Sequence, residues 1–324
     1  MLLGEKNIVG KSPVIKKIYN IVAKVAPTDS TVLLTGETGV GKGVFAEALH
    51  RLSKRAAQPF VSINCSAIPE NLLESELFGF KKGSYTGAIA DKKGLMEEAN
   101  HGTIFLDEIG DMSLSLQSKM LRVLENGEVR RIGETESKKI DVRIIAATNK
   151  DLWKEIGAGR FREDLFFRLN VVRIHVPPLR ERDEDVLMLI RHFMEKYNAE
   201  YDKNVITIAD DVITTLMNYD YPGNVRELSN IVKHAVIFSE KGVITKADLP
   251  SGMPAQALLE ASKIENPEKG EILGGGFETI AGMEKRLITE TLKKTSNNHT
   301  IAARKLGISR STLWRKMKEY GIEK

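Results

Sequence analysis

Two short segments hold residue types whose spacing points to chemistry. The first is Gly36-Glu37-Thr38-Gly39-Val40-Gly41-Lys42-Gly43, four glycines and one lysine in eight positions. The apolar run Val32-Leu33-Leu34 precedes it, and a helical pattern, Val44-Phe45-Ala46-Glu47-Ala48-Leu49, follows. In a strand–loop–helix setting, glycines let backbone N–H groups converge on phosphate oxygens, and the lysine ammonium meets the outer phosphates of a nucleotide. Gly36, Glu37, Thr38, Gly39, Val40, Gly41, Lys42 and Gly43 are therefore expected to cradle a nucleoside triphosphate. One position departs from the usual pattern. The residue after the lysine is ordinarily Ser or Thr, whose hydroxyl binds Mg²⁺, and here it is Gly43.

The second segment is Asp107-Glu108, at the end of the strand-like run Thr103-Ile104-Phe105-Leu106. Open α/β sheets bind ligands at the carboxyl ends of their strands. Asp107 is expected to hold Mg²⁺ through water, and Glu108 to orient and polarise an attacking water. With no hydroxyl at Gly43, the metal relies on water, phosphate and Asp107. Two acids ending a strand can also be a solvated turn, but the glycine-rich loop upstream favours the catalytic reading.

The elements that must position these groups are read from periodicity. Apolar, β-rich runs lie at 31–35, 60–64, 103–106, 142–147 and 171–176, with helix-patterned segments between them. That alternation predicts an α/β fold, a three-layer αβα arrangement around a parallel sheet. Pro177-Pro178 break the pattern. From 183 to about 239 the period is helical with no good strand, which predicts a small all-α lid. Between 251 and 276 the periodicity fades among Pro254, Pro267 and Gly274-Gly275-Gly276, a linker composition. The expected organisation is an ATPase-type subdomain at 1–178, a helical lid at 179–250, a linker at 251–276 and a C-terminal all-α unit at 277–324.

That last unit carries its own chemistry. Residues 284–293 read as an amphipathic helix, followed by Thr300-Ile301-Ala302-Ala303-Arg304-Lys305-Leu306-Gly307 and by Ile308-Ser309-Arg310-Ser311-Thr312-Leu313-Trp314-Arg315. Small alanines allow close helix crossing, Gly307 supplies a sharp turn, and Ser309 is a good N-cap. This is a helix-turn-helix pattern. It puts Arg310, Ser311, Thr312 and Arg315 near the start of a recognition helix, where base edges and phosphates are met. Leu306, Ile308, Leu313 and Met317 read as core. At under ~50 residues the unit is small for a single core, so dimerisation is expected.

Bulk properties agree with this division. The chain has 324 residues, 42% hydrophobic and 28% charged, as a globular protein of two domains would. The net charge is +4, yet residues 278–324 hold eleven Lys/Arg against five Asp/Glu, so the other 277 residues sum to −2. A basic tail on a near-neutral body suits a polyanion partner. No run of about 18 apolar residues predicts a membrane span, and the N-terminus lacks an apolar signal core. The single cysteine, Cys65, fits a reducing cytoplasm.

Taken together, these blocks resemble the bacterial enhancer-binding proteins, the sigma-54-dependent transcription activators of the AAA+ class, from about residue 8 to 322 apart from the linker. The most specific block is Glu76-Leu77-Phe78-Gly79-Phe80-Lys81-Lys82-Gly83-Ser84-Tyr85-Thr86-Gly87-Ala88. It is similar to the family's Gly-Ala-Phe-Thr-Gly-Ala loop, with Ser84 and Tyr85 in place of Ala and Phe. The resemblance implies that Gly83, Ser84, Tyr85, Thr86, Gly87 and Ala88 contact the sigma factor. It implies further that Asn64 restrains the catalytic glutamate, that Thr148 and Asn149 sense the γ-phosphate, and that Arg226 is a second sensor on the lid. Arg162 and Arg168 match the arginine-finger region, with Arg168 the preferred finger. A finger supplied by a neighbouring subunit implies a ring, commonly a hexamer, around ATP and Mg²⁺. The implied partners are sigma-54 RNA polymerase, enhancer DNA bound by a Fis-type helix-turn-helix, and further copies of the chain. Two other readings stand beside it: a DNA-binding regulator that keeps the motor fold without remodelling polymerase, and a DNA-translocating motor.

Overall fold

The computed structural model describes residues 8–84, 89–240 and 242–250, together with 291–292, 299, 313 and 316–317. The chain divides into two compact units, Met1–Glu265 and Asn266–Lys324. In the second unit the described positions are helical, and Leu292, Leu313 and Met317 are buried.

Five parallel strands form the sheet of the first unit: β1 (Val32–Thr35), β2 (Phe60–Asn64), β3 (Thr103–Asp107), β4 (Arg143–Thr148) and β5 (Val172–His175). Their order is β2-β3-β4-β1-β5. The five expected runs are these five strands, each shifted by at most a residue or so at its ends. Side-chain alternation divides the core into two faces. Leu33, Ile63, Ile104, Leu106, Ile144 and Ala146 pack on one side with Leu77, Phe78, Met120 and Leu165. Val32, Leu34, Phe105, Ile145, Ala147 and Ile174 pack on the other with Ile15, Val22, Phe45 and Leu49. Those partners come from helices α3 (Glu70–Phe78), α4 (Leu114–Asn126) and α6 (Glu163–Leu169) on the first face. On the second they come from α1 (Pro13–Val25) and α2 (Lys42–Arg51). Helix α5 (Leu152–Gly157) follows β4.

Beyond Pro177-Pro178, a separate core gathers Leu179, Leu189, Ile190, Tyr221, Leu228, Ile231, Val232 and Val236. It belongs to helices α7 (Val186–Tyr201), α8 (Asp210–Met217) and α9 (Asn224–Phe238). The expectation of no strand in this stretch needs correction. Thr207–Ile208 pairs in parallel with Val243–Ile244. Two-residue strands are too short to show a period of two, and the partner lies beyond the helical stretch.

Asp185 ties the start of the chain to this helical subdomain. It is fully buried and accepts from Lys11 N at 2.6 Å, Ser12 N at 2.8 Å and Ser12 Oγ at 2.8 Å. Ser12 in turn caps α1, with Pro13 at the first helical position. Buried Arg182 lies close enough for Asp185 to oppose the effect of burial, which takes the guanidinium down to about 10. Asp185→Ala leaves the Lys11 and Ser12 N–H groups and the Ser12 hydroxyl without their acceptor and removes the negative charge near buried Arg182, so stability should fall by about 3 kcal/mol or more. The urea midpoint of the full chain reads this directly. A midpoint within error of the parent would contradict the role given to Asp185.

Candidate functional site

The site lies at the carboxyl ends of the strands. In register, Thr35 of β1 is opposite Thr148 of β4, and Leu106 of β3 is opposite Ala146. The strand ending in Thr148 therefore lies between the strand that feeds the glycine loop and the one that ends in Asp107. Gly41 caps α2 with φ +102° and no side chain. With no side-chain cap, the Lys42 and Gly43 N–H groups at the start of this ten-residue helix can serve an anion, while those of Val44 and Phe45 donate to Gly41 O. A cavity of about 300 Å³ opens here, lined among others by Thr38, Gly39, Lys42, Gly43, Asp107, Glu108 and Arg226. Of the expected nucleotide residues, these come together around one space.

Its polar contacts form a connected set. The Lys42 ammonium donates to Gly36 O at 3.0 Å and Glu37 O at 3.3 Å and meets Glu108 Oε1 at 3.5 Å. Glu108 Oε2 accepts from the Asn149 N–H at 3.0 Å, while Asn149 Nδ2 donates to Thr38 Oγ1 at 2.9 Å. Asn149 thus bridges the glycine loop and the glutamate. Thr148 is buried, and its hydroxyl accepts from Lys150 N. Glu108 sits at φ +54°, a left-handed conformation that costs a non-glycine residue free energy and is concentrated at functional sites.

Asp107 is half-buried, and burial first, then the neighbouring Glu108, pushes its carboxyl above the ordinary carboxylate range. The oxygen donors at this edge suit Mg²⁺, which takes one or two carboxylates and otherwise phosphate and water. The gap left by Gly43 is sterically open: a Cβ there would meet only the Phe105 ring, at 3.8 Å.

One expected residue, Asn64, sits otherwise than the resemblance implied, while Arg162 and Arg168 lie away from the cavity, as a finger acting on a neighbouring subunit would. No hydrogen bond between the Asn64 side chain and Glu108 is present among the described residues. Asn64 Oδ1 accepts from Ser66 N, Ser66 Oγ and Ala67 N, closing the turn after β2. Glu108 is held instead by Lys42, at the start of α2, and by the Asn149 N–H, just past the end of β4. Arg162 and Arg168 do not line the cavity of their own chain. Arg162 is the N-cap residue of α6, paired with Asp164 at 2.7 Å and donating to Ser118 Oγ at 3.0 Å. Arg168, in the last turn, reaches Glu125 at 3.4 Å and is the more exposed.

Gly83 and Ser84 end a turn anchored by Lys81, whose N–H donates to Ile132 O. The rest of the expected sigma-contact loop, Tyr85, Thr86, Gly87 and Ala88, lies outside the described residues. So do the linker at 251–276 and the expected DNA contacts Arg310, Ser311, Thr312 and Arg315.

A second cavity, about 410 Å³, was not foreseen from the sequence. It adjoins the first at Gly41, Phe193 and Val225 and is lined by Ile8, Val9, Val44, Phe45, Leu189, His192 and Arg182. Its largely apolar walls suit a flat aromatic base beside a phosphate cradle. The apolar pair Ile8-Val9 ahead of Gly10 was the available signal, but nothing in the spacing linked it to α7.

Comparison with known proteins finds matches over nearly the whole chain. Residues 8–175 match the sigma-54 interaction domain, 180–264 an AAA+ ATPase lid domain, and 279–320 the Fis family of bacterial regulatory proteins. The chain is 44% identical to the regulatory protein AtoC of Escherichia coli (strain K12), over 98% of this chain and 68% of that one. It is 46% identical to the nitrogen fixation protein AnfA of Azotobacter vinelandii, over 98% of this chain and 58% of that one. The crystal structure of NtrX from Brucella abortus in complex with ATP superposes with a TM-score of 0.70 at 34% identity, over 98% of this chain and 70% of that one. The chain thus spans little more than half to about two-thirds of these relatives' length.

Because ionising Asp107 is opposed by burial, its charge costs folding stability. A carboxyl whose folded pKa is raised carries no such penalty below its ordinary value. The penalty develops as pH rises from the ordinary value through the raised one and is fully present above it. Asp107→Asn should therefore melt a few degrees higher than the parent at neutral pH, without nucleotide or metal and in EDTA. An unchanged or lower melting temperature would show that desolvation does not dominate at Asp107.

Proposed function

From the premise that the chain belongs to the sigma-54-dependent transcription activators of the AAA+ ATPase class, we propose the following division of labour among its residues. ATP binds with its phosphates in the loop from Gly36 to Gly43 and its base in the apolar cavity beside Ile8, Val9 and Phe193. The Lys42 ammonium and the Lys42 and Gly43 N–H groups at the start of α2 take the phosphate charge. Mg²⁺ is held by Asp107 through water, and when bound it neutralises charge on the phosphates. Glu108 orients and polarises the attacking water. Thr148 and Asn149 report the outer phosphate to Glu108, and Arg226 does so from the lid.

The observation that carries this reading is the bridge from Thr38 through Asn149 to Glu108, with Lys42 on the same carboxylate. A phosphate that enters the cradle competes for Lys42 and Asn149 and frees Glu108 to act on water. Such a site should rest in a poor geometry for catalysis and become productive only with nucleotide in place.

Arg162 and Arg168 are exposed and away from their own cavity, which suits delivery to a neighbour's site in a homo-oligomeric ring, commonly a hexamer. Arg168 is the preferred finger. Arg162 is bound up in the cap of α6, whereas Arg168 has only a long contact with Glu125 to give up. In related GTPases such an arginine is worth about 10³–10⁵ in rate. The loop from Gly83 to Ala88 carries the motion to sigma-54 RNA polymerase and remodels the closed promoter complex into an open one. Arg310, Ser311, Thr312 and Arg315 hold the chain on enhancer DNA. No helix among the described residues is long and apolar enough to cross a membrane, and the proposed setting is the cytoplasm.

Glu108→Ala should abolish ATP turnover while leaving ATP binding within a fewfold of the parent, read by single-turnover hydrolysis and by equilibrium titration. Normal turnover in that variant would remove Glu108 from the mechanism. In a second test, purified sigma-54 is mixed with the chain in ADP and a metal fluoride. The parent should form a stable complex, and Thr86→Ala should lose it while still hydrolysing ATP. A nucleotide-competent parent that traps no sigma-54 would favour the DNA-binding regulator without remodelling activity.

A further inference from the structure

The glycine loop is held from outside as well as from within. Glu37 points away from the cavity lined by Lys42 and Glu108, toward the segment after Pro178 and the start of α9. Arg180 grips it in a fork: Nη1 donates to Oε2 at 2.9 Å and Nη2 to Oε1 at 2.6 Å. Asn224 Nδ2 donates to the same Oε2 at 3.1 Å and to Thr38 O at 3.1 Å. Asn224 Oδ1 accepts from the Leu179 N–H at 2.8 Å. One buried amide therefore joins three segments far apart in sequence, and it does so from φ +55°, a conformation asparagine tolerates better than most residues.

Two further contacts continue the seam. The Arg226 N–H donates to Gly39 O at 3.2 Å, and a Cβ on Gly39 would lie 2.3 Å from Gly223 O. The loop and the N-terminus of α9 are thus in backbone contact, which only glycine at 39 permits.

We propose that Glu37, with Arg180 and Asn224, is a positioning strut that sets the glycine loop against the helical subdomain and so places Lys42 and Arg226 relative to one another. This rests on the reading of the loop as the phosphate site. None of the three residues lines the cavity, so none is catalytic. The connection to the reacting groups is short. Glu37 O is one of the carbonyls that receive Lys42 Nζ, and Thr38, held by Asn224 through its carbonyl, accepts Asn149 through its hydroxyl. Arg226 is two residues from Asn224 on the same helix. The fork of Arg180 and the Asn224 amide hold the Glu37 carboxyl down at about 2, so the strut stays charged across the physiological range.

An ion pair this exposed would ordinarily contribute little to stability. That makes the strut separable from folding. Glu37→Gln and Arg180→Gln should each melt within a degree or two of the parent. Each should nevertheless lower the kcat of the full chain for ATP by on the order of ten- to a hundredfold, with KM changed less than about threefold. The rates are compared at protein concentrations where specific activity no longer rises. The double variant should be no slower than the worse single one, because both changes break the same fork.

Amide exchange supplies a readout that needs no turnover. The Leu179 and Arg226 N–H groups are bonded across the seam, and in Glu37→Gln they should exchange about tenfold faster than in the parent. Three results would overturn the proposal: kcat within twofold of the parent, single-variant losses that multiply in the double variant, or unchanged exchange at Leu179 and Arg226. A parent that neither binds nor hydrolyses ATP would sink the phosphate-site reading instead, and exchange would still decide whether the strut exists.

Discussion

Neighbouring strands in a sheet lie about 4.8 Å apart, and the site depends on where that spacing puts β4. With β4 between β1 and β3, Lys42 and Glu108 start from backbones roughly 10 Å apart. Two long side chains can close that gap, and here they meet at 3.5 Å. If β1 and β3 were adjacent, lysine and acids would collapse into a direct ion pair with no room for a phosphate. If two strands intervened, neither could reach the same oxygen. The inserted strand also ends in Thr148 and Asn149, so polar groups that can distinguish a filled cradle from an unfilled one are already in the gap.

Much of this was legible in the sequence because it is local. The strand–loop–helix around Gly36 to Gly43 is continuous, and so is the run from Thr103 to Glu108. Short apolar, β-rich runs, as expected of strands covered on both faces, give the strands their places to within a residue or so. What sequence could not supply was the order of strands across the sheet. The expected partner for Glu108 was Asn64, which is indeed opposite Asp107 in register. Register gives neighbours across one ladder, but the glutamate turns at φ +54° toward β4 and away from β2. Side-chain direction at a strained residue is set by tertiary contacts that no window of residues contains.

The apolar cavity escaped notice for a related reason. Ile8 and Val9 read as ordinary apolar residues, and Leu189, His192 and Phe193 as one face of a helix. They meet only because buried Asp185 fixes Lys11 and Ser12 beside the start of α7. A fully buried carboxylate cannot be recognised from a sequence in which Asp183, Glu184 and Asp185 look alike as an acidic turn. Three backbone and hydroxyl donors satisfy it, which makes its burial tolerable.

Five described non-glycine residues have positive φ, and three of them, Glu108, Tyr221 and Asn224, lie in the site or lead into α9, whereas His101 and Asp202 lie elsewhere. Each of the three is held by more than one contact. Glu108 is bound by Lys42 and Asn149. Tyr221 is buried with its hydroxyl on Leu216 O, and Asn224 is bonded to Leu179, Thr38 and Glu37. Conformations costing about 1–3 kcal/mol apiece persist only where surrounding contacts determine them more than once. Of the three, Asn224 is the one held across the seam, whereas Glu108 is fixed within the sheet subdomain and Tyr221 within the lid. Polar contacts join the lid to the glycine loop at Glu37, Thr38 and Gly39, and Thr38 is also the partner of Asn149, so a ligand that takes Asn149 for itself acts on a residue of that seam. A nucleotide worth a few kcal/mol of binding can move such an assembly; it could not move one whose lid rested on a large apolar interface.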